Sequence, residues 1–345
     1  MGIHGGDIYR NKVTIDFSVN VNPLGVPDAV QKALHEAVAA CSRYPDPEAE
    51  ELRGAVAAML HVPKEALVFG NGASELFVAI LHHIRPKRIL LPVPSFYGYQ
   101  YAAQAAGAEI MFHEMPEERG FCAGEDLLEA LTADVELLFL ANPNNPSGRL
   151  LDPKFLSRVL LHCEEKGIYV VLDECFIEFC EGARSMLAAA GQLEHLIIVR
   201  AFTKIFAIPG VRLGYLVCEN SAVCRGIQEQ LPEWNLSCFA QAAGIACAAQ
   251  TGFLAQTRDY VRAERAFLEQ GLMELGYRLF PSEANFILFY REGPLYAALQ
   301  GQGLLIRDCS NFQGLGPGFY RIAVKSRREN EILLRAIGAW EACRR

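Results

Sequence analysis

Between residues 67 and 217 the chain alternates short apolar runs with stretches of helical period. The runs at 67–69, 88–91, 108–112, 136–141, 168–172, 196–200 and 214–217 are continuous, rich in Val, Ile, Leu and Phe, and too short for helices, which predicts buried strands. Apolar positions three and four apart predict helices between most of them, at 73–83, 97–106, 125–131 and 153–165. That alternation predicts an α/β fold, a mainly parallel sheet sandwiched by helices. Ligands of such sheets lie beyond the carboxyl ends of the strands, so the loops that follow strands are expected to carry the chemistry.

Beyond residue 253 the pattern changes. A long helical stretch at 253–275 leads to short strands at 285–289, 304–307 and 319–324 and a last helix at 327–343, which predicts a smaller α+β C-terminal domain. Near the start, Asn20, Asn22, Pro23, Gly25 and Pro27 supply turn chemistry ahead of a helix at 28–40. The expected division is an N-terminal arm and helix at 1–44, packing on the small domain and the active site, a large α/β domain at 45–252, and a small domain with its long connecting helix at 253–345. No internal repeat is evident.

Composition narrows the function classes. A chain of 345 residues, 51% hydrophobic and 21% charged, with Gly 29 and Pro 17 spread along it, has the makeup of a globular protein rather than a disordered or collagenous one. With 32 Lys+Arg against 40 Asp+Glu the net charge is −8, which argues against nucleic acid or an anionic membrane as partner and leaves any anionic ligand to local arginines. Eleven cysteines, an odd number with no C-x-x-C pair, read as reduced thiols rather than a disulfide framework, and no metal site is expected. No apolar run approaches the ~18 residues of a membrane span, and Met1 to Asp7 lacks a signal-peptide core, so a cytoplasmic location is expected.

Four segments place polar groups after predicted strands. Gly70-Asn71-Gly72-Ala73-Ser74-Glu75 begins like a dinucleotide fingerprint, but Glu75 stands where the third glycine belongs. What remains is a turn at a helix N-terminus, either a plain cap or a site where backbone N–H groups and the Ser74 hydroxyl hold a phosphate. Asn142-Pro143-Asn144-Asn145-Pro146 reads as a rigid loop whose amides reach a ligand, or as a simple turn. Asp173 and Glu174 end an apolar strand, where an acid either pairs with a buried cation or caps a helix. Lys204, in the apolar stretch Phe202-Thr203-Lys204-Ile205, stands eight residues before Arg212. Desolvation or a nearby cation makes such an amine a nucleophile toward carbonyls.

In their order and spacing these segments resemble the fold-type I pyridoxal-phosphate enzymes of the aspartate aminotransferase superfamily, over nearly the whole chain. The resemblance implies pyridoxal 5′-phosphate as cofactor, with Lys204 linked to its aldehyde and Asp173 keeping the pyridine nitrogen protonated. It implies that Asn145 bonds the phenolic oxygen, that Phe96 in Pro94-Ser95-Phe96-Tyr97 stacks on the ring, and that Gly72, Ala73, Ser74, Thr203 and Arg212 cup the phosphate. Tyr44 is similar to a tyrosine that such proteins lend to the partner subunit's cofactor, which implies a homodimer. Two positions depart from the pattern: Phe176 replaces the tyrosine usual three residues after the aspartate, and Ala201 replaces a frequent Ser or Thr.

Within the superfamily, Arg321 in Phe319-Tyr320-Arg321-Ile322 resembles the arginine that binds a substrate α-carboxylate. His4-Gly5-Gly6-Asp7, the run from Asp16 to Gly25, and Arg307-Asp308-Cys309-Ser310-Asn311-Phe312 are similar to the threonine-phosphate decarboxylases of cobalamin biosynthesis, relatives of the histidinol-phosphate aminotransferases. This implies a small phosphorylated amino acid as substrate: L-threonine O-3-phosphate, losing CO₂ to give (R)-1-aminopropan-2-ol O-phosphate. Arg307 and Arg321 would anchor its anionic groups, with His4, Gly5, Gly6, Asn20 and Asn22 closing over it. Amino transfer of the histidinol-phosphate type uses the same residues and stays open, as does a non-catalytic binding module on this fold. Threonine phosphate and serine phosphate differ by one methyl, worth only ~1–3 kcal/mol in a pocket, which the motifs do not resolve.

Overall fold

The computed structural model describes residues 4–344. Its centre is a seven-stranded sheet in the order Leu67–Gly70, Gly214–Val217, Leu196–Ala201, Tyr169–Asp173, Leu137–Ala141, Arg88–Val93 and Glu109–Glu114. Only Gly214–Val217 runs antiparallel to its neighbours. The expected mainly parallel sheet is therefore present, and six of its strands are almost wholly buried, as continuous apolar runs require. Helix Pro153–Lys166 shows how the crossovers are punctuated: the Asp152 carboxylate accepts from the N–H groups of Lys154 and Phe155, Pro153 sits at the first turn, and Gly167 ends the helix at φ 68°.

The smaller C-terminal sheet is antiparallel, in the order Arg307–Asp308, Phe319–Ala323, Phe286–Tyr290 and Arg278–Leu279. Helices Thr251–Glu274 and Arg327–Arg344 accompany it, tied together where Glu264 accepts hydrogen bonds from Arg327 and Asn330. The strand expected at 304–307 is two strands. Leu304–Leu305 pairs in parallel with Ile15–Asp16, and Arg307–Asp308 pairs with Phe319–Ala323, with Ile306 buried between the two. The N-terminal segment thus contributes a strand to the small domain. Its helix, Asp28–Ala37, packs instead on helix Cys238–Ala248, which also contacts Glu50–Leu60. Cys238–Ala248 carries apolar or small residues on nearly every side, and being contacted by two helices it has no polar face to reveal its period.

The carboxyl ends of the parallel strands share one edge, where Ala141 stands opposite Asp173 and Ala201 opposite Gly214. Gly214 also pairs with Gly70, and the turn after Gly70 runs directly over it: a Cβ built on Gly214 would lie 2.6 Å from the backbone nitrogen of Ala73. Among the described residues no single helix is long and apolar enough to cross a membrane. Because the atom met at Gly214 is backbone, Gly214→Ala is expected to lower stability by about 1–3 kcal/mol. A urea titration with a lower midpoint and unchanged slope would record it.

Candidate active site

A cavity of about 300 Å³ opens at this strand edge, between the large sheet, the small domain and the N-terminal arm. The loop after each strand delivers a different group. Gly72, at φ 81°, begins helix Ala73–Ile84, and the first residues of that helix, Ala73 and Ser74, line the cavity. Arg212 reaches across to donate to the carbonyl of Asn71 (3.3 Å), and a Cβ at Gly72 would stand 2.3 Å from its guanidinium. A glycine is therefore required for the arginine to lie against a helix N-terminus, an arrangement that suits a phosphate.

Asp173 ends its strand with a buried carboxylate held on both oxygens: Tyr99 donates its hydroxyl to Oδ2 and the Cys175 N–H donates to Oδ1 at 2.8 Å. Burial pushes the Asp173 pKa up, and these two hydrogen bonds pull it partly back. Lys204 lies in the short helix Phe202–Ile205, next to Thr203, and faces the same cavity. Burial, then the charges of Arg321 and Arg212, bring its pKa down from 10.5 to about 8.

At the other end stand Arg307 and Arg321, both buried and directly opposite in the antiparallel ladder. Arg307 donates to Asn311 Oδ1 (2.7 Å) and lies over the Phe312 ring; Arg321 donates to Asn145 Oδ1 and to the carbonyl of Ser18 (2.9 Å). Because Asn145 receives Arg321 on its oxygen, its NH₂ is left for a ligand. Burial lowers both guanidinium pKa values, Arg321 to about 10 with the help of the Arg307 charge, which leaves Arg321 cationic at neutral pH. Among the described residues neither has a carboxylate within 4 Å. The four basic groups Lys204, Arg212, Arg307 and Arg321 line the cavity together with one acid, Asp173.

Of the residues singled out from the sequence, His4, Gly5, Asn20, Gly72, Ala73, Ser74, Phe96, Asn145, Asp173, Thr203, Lys204, Arg212, Arg307 and Arg321 line this one cavity. Three do not. Asn22 is buried with its amide donating to Ile205 O (2.7 Å) and Thr257 Oγ1 (2.8 Å), while its N–H donates to the carbonyl of Lys204; it fixes the lysine's backbone from behind. Gly6 gives its N–H to Ser18 Oγ, one residue beyond the lining. Tyr44 is 78% exposed and rests on Trp234, ring centroids 4.7 Å apart. Tyr99 was not anticipated. It follows Phe96, the residue just before helix Tyr97–Ala105, by three residues, and a buried tyrosine hydroxyl needs a partner, which was the available signal.

A family model described as aminotransferase class I and II matches residues 12–337. The chain is 34% identical over 348 residues to the threonine-phosphate decarboxylase of Salmonella typhimurium, covering 97% of this chain and 95% of that protein. The crystal structure of histidinol-phosphate aminotransferase from Clostridium acetobutylicum superposes with a TM-score of 0.89 at 32% identity, covering 95% of this chain and 99% of the other. That of L-threonine-O-3-phosphate decarboxylase from Porphyromonas gingivalis gives 0.85 at 27% identity, covering 94% and 99%.

With a pKa of about 8 instead of 10.5, roughly a quarter of Lys204 is free amine at pH 7.5, against about one part in a thousand for an ordinary lysine. In cofactor-free protein, labelling of Lys204 by a small aldehyde and borohydride is expected to rise with a midpoint near pH 8. Arg321→Gln should move that midpoint upward. A wild-type midpoint near 10 in peptide maps would contradict this reading.

Proposed function

The chain belongs to the class I and II aminotransferase family, and we propose that within it this protein decarboxylates a phosphorylated amino acid, L-threonine O-3-phosphate, to 1-aminopropan-2-ol O-phosphate. The family's cofactor is pyridoxal 5′-phosphate. The residues present fit it: the Gly72–Arg212 cradle suits its phosphate, and the doubly hydrogen-bonded Asp173 suits a cationic ring nitrogen. The Asn145 amide, oriented by Arg321, suits its phenolic oxygen, with Phe96 at the ring and Lys204 at the aldehyde. Bound there, the cofactor supplies a carbonyl for amines and a protonated ring that accepts the electron pair of a bond broken at Cα.

The observation that carries the substrate class is the charge of the cavity, four basic groups against one acid in a chain of net charge −8. Arg212 accounts for a phosphate at one end. The opposed pair Arg307 and Arg321 at the other asks for two further anionic groups, which a phosphorylated amino acid provides as phosphate and carboxylate. On this reading Asp173 holds the proton on the ring nitrogen, and the two arginines orient Cα. The bond at Cα that the two arginines turn toward the cofactor's electron-accepting ring would be the one to break, and in decarboxylation it would be the bond to the carboxylate, which would leave as CO₂. Lys204, with its lowered pKa, then returns a proton to Cα. The 34% identity to the Salmonella typhimurium threonine-phosphate decarboxylase, over nearly both full lengths, supports this outcome. The close superposition on histidinol-phosphate aminotransferase supports the second reading, in which the bond to hydrogen is the one aligned.

We also propose that the protein works as a homodimer. Exposed Tyr44, lying against the half-exposed Trp234, presents an aromatic pair suited to a second copy. Sedimentation at micromolar concentration is expected to give a two-chain species, and Tyr44→Ala to weaken cofactor retention.

Incubation of the cofactor-loaded protein with L-threonine phosphate and no oxo acid is expected to release CO₂ and aminopropanol phosphate in equal amounts. Turnover only with histidinol phosphate plus 2-oxoglutarate would replace this reading by the second. Arg321→Lys, which loses the planar fork, is expected to lower kcat/KM by about a hundredfold.

A further inference from the structure

We propose that Ser18 is a positioning residue that latches the N-terminal arm over the Arg307–Arg321 end of the cavity and ties that closure to the placement of Arg321. Asp16 Oδ1 accepts from both the N–H (2.7 Å) and the hydroxyl (2.6 Å) of Ser18. The hydroxyl proton is thereby committed, and the oxygen turns a lone pair to the Gly6 N–H, 2.7 Å away. The arm lies so close that a Cβ on Gly5 would stand 2.4 Å from the Ser18 carbonyl oxygen, and Gly6 takes φ +85°. That same carbonyl is the acceptor for Arg321 Nη2 at 2.9 Å. One residue therefore holds the arm by its side chain and the anchor by its backbone.

The latch is set in the small domain. The Phe17 N–H donates to Leu305 O, and Phe17 O accepts from Ala323, so Ser18 follows a residue pinned to the strands Leu304–Leu305 and Phe319–Ala323. Farther along the arm, Asn11 donates to the carbonyl of Asp7 and accepts from Gln300. On the near side of the latch, His4 reaches the large domain, its ring centroid 5.8 Å from Tyr97 and 6.4 Å from Phe96. The arm thus bridges the two walls of the cavity, and the Ser18 hydroxyl is its attachment next to the anchoring arginines. Removing the hydroxyl leaves the carbonyl and its bond to Arg321, which separates latch from anchor. The effect on ligand affinity rests on reading these arginines as anion anchors; the latch itself does not.

The test compares wild type, Ser18→Ala and Ser18→Thr as cofactor-loaded proteins, by hydrogen–deuterium exchange and by kinetics with O-phospho-L-threonine. In Ser18→Ala, exchange in residues 4–12 without ligand is expected to quicken about tenfold while strand Leu196–Ala201 keeps its protection. KM is expected to rise about tenfold with kcat within about twofold of wild type, and Ser18→Thr, which keeps the hydroxyl, to recover most of both. Unchanged arm exchange in Ser18→Ala, equal loss of protection in Leu196–Ala201, or a threonine variant as impaired as alanine would each overturn the latch. A wild type that ignores phosphothreonine while its arm responds to Ser18→Ala would leave the latch standing and refute the substrate reading.

Discussion

Uncompensated positive charge in an enclosed space is the constraint around which this molecule is organised. Arg307 and Arg321 face each other across one rung of a β-ladder, where like charges repel, and both are buried. Lys204 and Arg212 add two more basic groups to the same cavity, against the single carboxylate of Asp173. A chain can hold such a set only if rigid elements place each member, because side chains free to move would carry their charges back to water. The parallel sheet supplies that rigidity for Asp173 and Lys204, and the small antiparallel sheet supplies it for the two arginines. The repulsion is relieved by whatever anions enter, so ligand binding and the docking of the small domain draw on the same free energy.

Each charged group is also tuned by its neighbours. Tyr99 and the Cys175 N–H keep Asp173 from rising as far as burial alone would take it. Asn22, donating its N–H to the Lys204 carbonyl and its amide to Ile205, fixes the backbone that carries this lysine. Arg321 turns the Asn145 amide while resting over Phe286, whose ring meets Phe176 edge-on at 5.2 Å. Phe176 also lines the cavity, so at that place the wall beside the arginine is an apolar ring without a hydroxyl.

How much of this was legible in the sequence follows from how each signal arises. Strands buried on both faces, such as Gly214–Val217 and Leu196–Ala201, announce themselves as continuous apolar runs, and the loops after them could be read as the site because strand ends share an edge. The helix Cys238–Ala248 gave no period because no side of it needed to be polar, and the two-residue strand Ile15–Asp16 is too short for alternation to show. The division of 304–307 between two sheets depends on long-range pairing that no local pattern encodes. The same limit explains Asn22: an asparagine in a turn looks the same whether its amide meets a ligand or, as here, Thr257 more than two hundred residues away. Tyr44 shows the converse: it is exposed, and of the described rings only that of Trp234 lies against it, so the single chain does not reveal a role for it.

Arg321 is where these separate constraints meet. It belongs to the small domain by its strand, touches the large domain through Asn145, and touches the N-terminal segment through Ser18. A substrate carboxylate arriving at this guanidinium would share it with Asn145 and Ser18, which hold two of its five N–H donors, while Nε, buried and without a partner, is among those still unspent. Binding at that end would therefore redistribute contacts among all three segments, which gives a substrate lacking one anionic group less leverage on the geometry at Cα. On the proposed reading, the choice between breaking a carbon–carbon and a carbon–hydrogen bond is thus made at the arginines, one of which, Arg321, also acts by its charge on the lysine that handles the proton.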